Sequence, residues 1–129
     1  KNMGLDNGII LKCSDEVFKK IPYYDIDEIG NEDKHLAYWR KCYGIRKAIL
    51  NKLHGEDGGD TPIETEDIPA IIRVLKPFLS KDYWEENADS IWEYEEYFDN
   101  LYKILIRLEW LKEYLKDNPN IECYFYDNY

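Results

Sequence analysis

Apolar residues recur at helical spacing over Lys34–His54, KHLAYWRKCYGIRKAILNKLH, the most regular stretch of the chain. On a helical wheel Leu36, Tyr38, Trp39, Cys42, Tyr43, Ile45, Ile49, Leu50 and Leu53 share one half, and Arg40, Lys41, Lys47, Asn51 and Lys52 take the other. The pattern predicts one amphipathic helix, closed by Gly55 in the left-handed conformation that glycine adopts at little cost. His35 and Arg46 break it by projecting into the apolar half, beside Trp39, Cys42 and Leu53. An arginine keeps its charge, so a buried Arg46 requires a carboxylate or carbonyl partner. An internal ion pair is the expectation, and a binding role is the alternative.

Elsewhere the pattern is punctuated by turn residues. Met3–Cys13 predicts a short covered strand around Ile9, Ile10 and Leu11, Asp15–Lys20 a helical turn, and Pro22 an extended piece leading to an acidic loop over Asp25–Asp33. The sequence GEDGGDTP over Gly55–Pro62 reads as a surface loop. Thr65 is placed to cap a second helix, with Glu66 and Asp67 in its first turn; Ile68, Ile71, Ile72, Leu75 and Leu79 form its buried stripe, and Pro77 ends it near Lys76. A third helix is expected from Asp89 or Ser90, where Ser90 and Glu93 have capping-box spacing, to Lys116, before Asn118 and Pro119. Its core arc runs through Tyr94, Tyr97, Phe98, Leu101, Ile104, Leu105, Leu108, Leu111 and Leu115, while Trp92 and Trp110, with Ile106 nearby, point away from it. Ile121–Tyr126 alternates as a half-buried strand whose natural partner is the amino-terminal strand. These elements make an α+β fold in a single domain over residues 1–129, with three main helices packed on a small sheet formed by the N- and C-terminal strands.

Charge sharpens this picture. The chain of 129 residues carries a net charge of −10, but Lys34–Leu53 holds six bases and no acid, whereas Asp82–Tyr102 holds eight acids and no base. An acidic surface of this kind repels nucleic acid and anionic lipid, and suits a cationic protein partner. Cys13, Cys42 and Cys123 are widely spaced, so neither a zinc site nor a disulfide framework is indicated, and the expected compartment is a reducing cytoplasm. No leader or long apolar run points to secretion or a membrane, and the native start is expected at Met3, the only methionine.

Searches for chemistry return little. GxSxG, GxxxxGK, GxGxxG and HExxH are absent, and His35 and His54 stand too far apart on the predicted helix to share a metal. A calcium loop counted from Asp57 fails, with Gly59 at position three, Pro62 at position six and Ile68 at position twelve. Glu85, Asp89 and Glu93 at helical spacing read as a solvated acidic face rather than a metal site, and no cofactor is called for.

The GLD of Gly4–Asp6 and the YWRK of Tyr38–Lys41, followed by an acidic loop, an acid-capped helix, a last helix and a tyrosine-rich terminal strand, resemble a family of small uncharacterised proteins found in bacteriophages and prophages. That family tends to carry a histidine at the position of Arg46 and an aromatic residue at the position of Ala48, a departure that weakens any site carried over to Arg46. It implies a phage-encoded accessory protein of the bacterial host cytoplasm and supplies no activity.

Two functional readings follow. In the first, a non-enzymatic acidic protein-binding module presents Trp84, Glu85, Asp89, Trp92, Glu93, Glu96 and Trp110 to a basic surface of a host protein that handles nucleic acid or serves defence. Direct nucleic-acid binding is not expected, and a homodimer is compatible. In the second, Asp6, His35, Trp39, Arg40 and Arg46 form a site for a small molecule, nucleotide or phosphate, with an enzymatic role left open.

Overall fold

The computed structural model describes residues 5–25, 34–87 and 94–128. Strand β1 (Asp6–Lys12) leads to a short helix α1 (Asp15–Lys19), then strand β2 (Lys34–Arg40) and helix α2 (Tyr43–Leu53). Strand β3 (Asp60–Ile63), helix α3 (Asp67–Leu75), a 3-10 turn (Lys76–Leu79), helices α4 (Lys81–Asn87) and α5 (Tyr94–Asp117) and strand β4 (Glu122–Asn128) complete the chain. The fold is α+β. Its sheet is antiparallel in the order β2-β1-β4-β3.

The expected pairing of the chain ends is present: β1 and β4 run antiparallel, with Ile9 opposite Phe125 and Leu11 opposite Cys123. The sheet nevertheless draws strands from throughout the chain, which corrects the expectation of terminal strands alone. In place of one helix over Lys34–His54, the first third is β2. Ala37 faces Ile9 but His35 faces Ile10, so Leu36 is the extra residue of a bulge. The bulge lets two consecutive residues, Leu36 and Ala37, enter the same core, and it gives the strand a spacing that imitates a helix. Lys41 then takes a left-handed backbone with φ 59°, and α2 begins after Cys42. Strand β3 emerges from the predicted surface loop; as an edge strand it tolerates Pro62, whose missing N–H costs no ladder bond there.

The core lies between one sheet face and helices α2, α3 and α5. Ile9, Leu11, Trp39, Cys123, Phe125 and Ile63 meet Ile45, Ile49, Ile68, Ile71, Leu75, Leu101, Ile104, Leu108 and Leu111, all buried. Each such aliphatic side chain contributes about 1.5–3 kcal/mol by leaving water. Of the expected α5 arc, Tyr97, Leu101, Ile104, Leu105, Leu108, Leu111 and Leu115 are buried and Phe98 is half-buried, while the Tyr94 side chain lies outside the described residues; Asp117 ends the helix where Asn118 and Pro119 begin. The Ser90–Glu93 capping box lies outside the described residues. Helix α3 starts at Asp67 without a Thr65 cap; the Asp67 carboxylate accepts from the Glu64 amide instead. The turn at Pro77 gives way to α4, an element that the hydrophobic pattern did not separate. At the end of α2 the left-handed residue is His54, with φ 56°, and not Gly55. Gly55 is required for another reason: a Cβ there would stand 2.5 Å from Thr61 Oγ1.

Candidate functional site

Arg46, one turn into α2, finds the carboxylate that its burial demands. Its Nε donates to Asp127 Oδ1 at 2.8 Å and its Nη2 to Asp127 Oδ2 at 2.9 Å, with Asp57 Oδ1 3.0 Å away. The Asp127 side chain is fully buried and also accepts from Asn7 Nδ2 at 2.8 Å and the Gly58 amide at 2.7 Å. Burial pushes the Asp127 carboxyl pKa up, but the bonds from Arg46, Gly58 and Asn7 outweigh that and hold it below the ordinary carboxylate value. The same partner raises the Arg46 pKa. This assembly ties α2 and the 57–59 loop to the two central strands. It is a structural clamp.

The other residues of the second functional reading do not join it. Asp6 and Arg40 pair at 2.6 Å at one end of the sheet, where half of the Arg40 side chain is exposed. Trp39 lies in the core against Phe125. His35, set on the opposite sheet face by strand alternation and the bulge, is buried between the rings of Tyr38 and Tyr126 at 5.5 and 5.4 Å. Its Nδ1 would stand 2.6 Å from a Cβ at position 8, so that position must be glycine. A site of Asp6, His35, Trp39, Arg40 and Arg46 is therefore corrected: strand geometry sends its members to different faces of the sheet.

The acidic face is also revised. Trp84 is 2 % exposed and packs edge-on to Phe78, so it belongs to the core and not to a contact surface. Trp110 is half-buried, stacked on Tyr114 at 4.6 Å and covered edge-on by Tyr23 at 5.9 Å. Glu85 is exposed on α4, beside Asp82 and Glu86. Asp89, Trp92 and Glu93, and the side chain of Glu96, lie outside what is described. What α5 does present outward is Tyr102, 53 % exposed, and Ile106, 46 % exposed, one turn apart. Half-buried Phe98 lies one turn earlier, its ring 5.4 Å from that of Tyr102. Asp99 and Glu113 are exposed on the same helix. The signal for Ile106 and Tyr102 was available in the sequence, since both fall off the core arc.

The first two cations of α5 point the other way. Lys103 Nζ donates to Asp25 Oδ2 at 3.0 Å and to the Tyr38 carbonyl at 2.7 Å; Arg107 Nη1 donates to the Leu36 carbonyl at 2.7 Å and lies 3.0 Å from Asp25 Oδ2. The Tyr38 amide donates to the same Asp25 oxygen at 2.7 Å. Together they close the outer edge of β2, which would otherwise offer unpaired backbone groups to another strand. Burial raises the Asp25 pKa, yet these bonds outweigh it and keep the carboxyl below its ordinary value.

No group of three or more His, Cys, Asp or Glu side chains suited to a metal is present among the described residues. Burial pushes the Cys123 thiol up to about 12, the opposite of what a nucleophilic thiolate needs. No described helix is long and apolar enough to cross a membrane. The chain matches no protein-family model, no curated protein and no solved structure.

Proposed function

We propose that the chain is a non-enzymatic binding protein whose acidic, aromatic face, running from α4 onto the outer side of α5, contacts a basic surface of another protein. One observation carries this reading: Tyr102 and Ile106 stand exposed near Asp99 while Lys103 and Arg107 of the same helix turn inward to Asp25. The helix thus offers water an aromatic ring, an aliphatic side chain and carboxylates, with its nearest cations neutralised. Rigid aromatic anchors ringed by charge are what a specific protein contact uses. The resemblance to phage proteins adds a bacterial host as the setting and a nucleic-acid-handling or defence protein as the partner, whose cationic groove would take a row of carboxylates that imitates a nucleic-acid backbone.

The test is affinity capture from bacterial lysate at low and high ionic strength, comparing the native chain with a Tyr102→Ala/Ile106→Ala variant. The native chain is expected to retain a basic protein at low salt and release it at high salt, and the variant is expected to lose it. Equal retention by both chains, or the absence of any salt-sensitive partner, rejects the reading.

A further inference from the structure

Helix α2 faces water with the side that the core does not use. There it forms one wall of a cleft of about 400 Å³, whose opposite wall is Val74, Phe78 and Tyr83. Phe78 and Tyr83 meet edge to face, with centroids 4.9 Å apart and planes at 89°, and both line the space. On the α2 side the half-buried Ala48 sits between exposed Lys47, Asn51, Lys52 and His54. The floor is apolar and aromatic. The rim is cationic and hydrogen-bonding.

Charge makes this cleft unusual for its chain. The protein carries 27 acidic and 17 basic residues, yet among the described residues no carboxylate side chain lines the cleft. Arg46, Lys103 and Arg107 are each neutralised by a carboxylate, whereas Lys47 and Lys52 make no ion pair with any described residue. Two of the carbonyls at the α2 C-terminus, where the helix dipole disfavours an anion, are occupied: the Leu50 carbonyl accepts from Gly55 at 3.0 Å and the Asn51 carbonyl from His54 at 3.4 Å. The left-handed backbone of His54 places a polar ring at the rim where glycine would sit with less strain.

From this juxtaposition we propose that the α2 cleft binds a nucleoside monophosphate, its base against Phe78 and Tyr83 and its phosphate between Lys47, Lys52 and His54. The size of the cleft lies in the range of small-ligand sites. Aromatic walls favour a planar ring, and ammonium groups favour a phosphate. The site is separate from the α5 face, so Tyr102→Ala/Ile106→Ala is expected to leave it unchanged.

The test measures binding of adenosine, guanosine, cytidine and uridine monophosphates by calorimetry, with inorganic phosphate and the free nucleosides as half-ligand controls. At least one nucleotide is expected to bind more tightly than either half, and more weakly as salt rises. Lys47→Ala/Lys52→Ala removes two charged contacts and is expected to weaken binding by about tenfold or more. Ala48→Phe keeps both lysines and fills the cleft, and is expected to abolish binding. His54→Gly is expected to weaken binding while leaving the melting temperature unchanged or raised, which a purely structural role for His54 would not produce. The proposal is overturned if no nucleotide binds, if inorganic phosphate binds as tightly as every nucleotide, or if Ala48→Phe binds as the native chain does.

Discussion

Asp127 and Asp25 both gather cations and a backbone amide, but they do so at different depths. Asp127 stands in β4 with its side chain sealed from water and accepts from Arg46, Asn7 and Gly58. Asp25 precedes β2, keeps 21 % of its side chain exposed and accepts from Lys103 and the Tyr38 amide, with Arg107 alongside. The first fixes how α2 and a loop sit on the central strands; the second closes an edge. Asp127 draws Arg46 of α2 inward, and Asp25 draws Lys103 and Arg107 of α5, which takes those two bases off the outer side of α5. Depth, not the number of partners, is expected to set what each hub contributes.

The largest expected effect is therefore at Asp127. Asp127→Ala leaves the buried Arg46 guanidinium with only the exposed Asp57 as counter-charge and strands the Asn7 and Gly58 donors, at a cost of about 3–5 kcal/mol in denaturant unfolding. Adding Arg46→Met should recover part of that loss, because an apolar side chain needs no counter-charge. A double variant no more stable than Asp127→Ala alone would show that the clamp acts through something other than charge. Acidification offers a second check. In the folded chain both carboxyls titrate below 3.8, their ordinary value, so between the two values the unfolded chain holds more protons. Their stabilisation is complete above that ordinary value and is lost as pH falls through the folded one. Unfolding midpoints are expected to drop on acidification below pH 3.8, and the drop should be shallower in Asp127→Asn.

Asp25→Ala comes next. It removes the acceptor of the Tyr38 amide and leaves Lys103 and Arg107 adjacent without their shared counter-charge, a loss of about 1–3 kcal/mol. Because β2 is an edge, the variant is also expected to expose strand backbone, which amide hydrogen exchange at Tyr38 should report as faster exchange. A loss as large as that at Asp127 would break the argument from depth.

The sequence shows parts of this plan and hides others for identifiable reasons. That Arg46 needs a carboxylate follows from its charge among apolar neighbours, but the partner lies 81 positions away at the end of a strand, and no local pattern points to it. The terminal strands were legible because Ile121, Cys123 and Phe125 alternate cleanly, and their pairing partner was the only other apolar run of that kind. Strand β2 was not, because its bulge places Leu36, Ala37 and Trp39 in one core and so mimics a helical stripe running into α2. Trp84 looked like an outward indole beside acids; its burial depends on Phe78, brought against it by the turn at Pro77. The α2 cleft needed Ala48 opposite Phe78, and long-range packing of that sort leaves no mark on periodicity.

The smallest effect sharpens the comparison most. Arg40 and Asp6 approach to 2.6 Å, closer than either pairing at Asp127, so contact distance alone would rank this ion pair first. Half of the Arg40 side chain is in water, however, where solvent screens the attraction and ordering two side chains opposes it. The Lys41 amide, bonded to the Leu5 carbonyl at 2.8 Å, anchors that end of the strand without help from Arg40. Arg40→Ala is accordingly expected to cost no more than about 1 kcal/mol, and less at high salt. If its cost instead approached that of Asp127→Ala at every ionic strength, proximity would outweigh burial in this sheet, and the contrast between its two carboxylate hubs would need another cause.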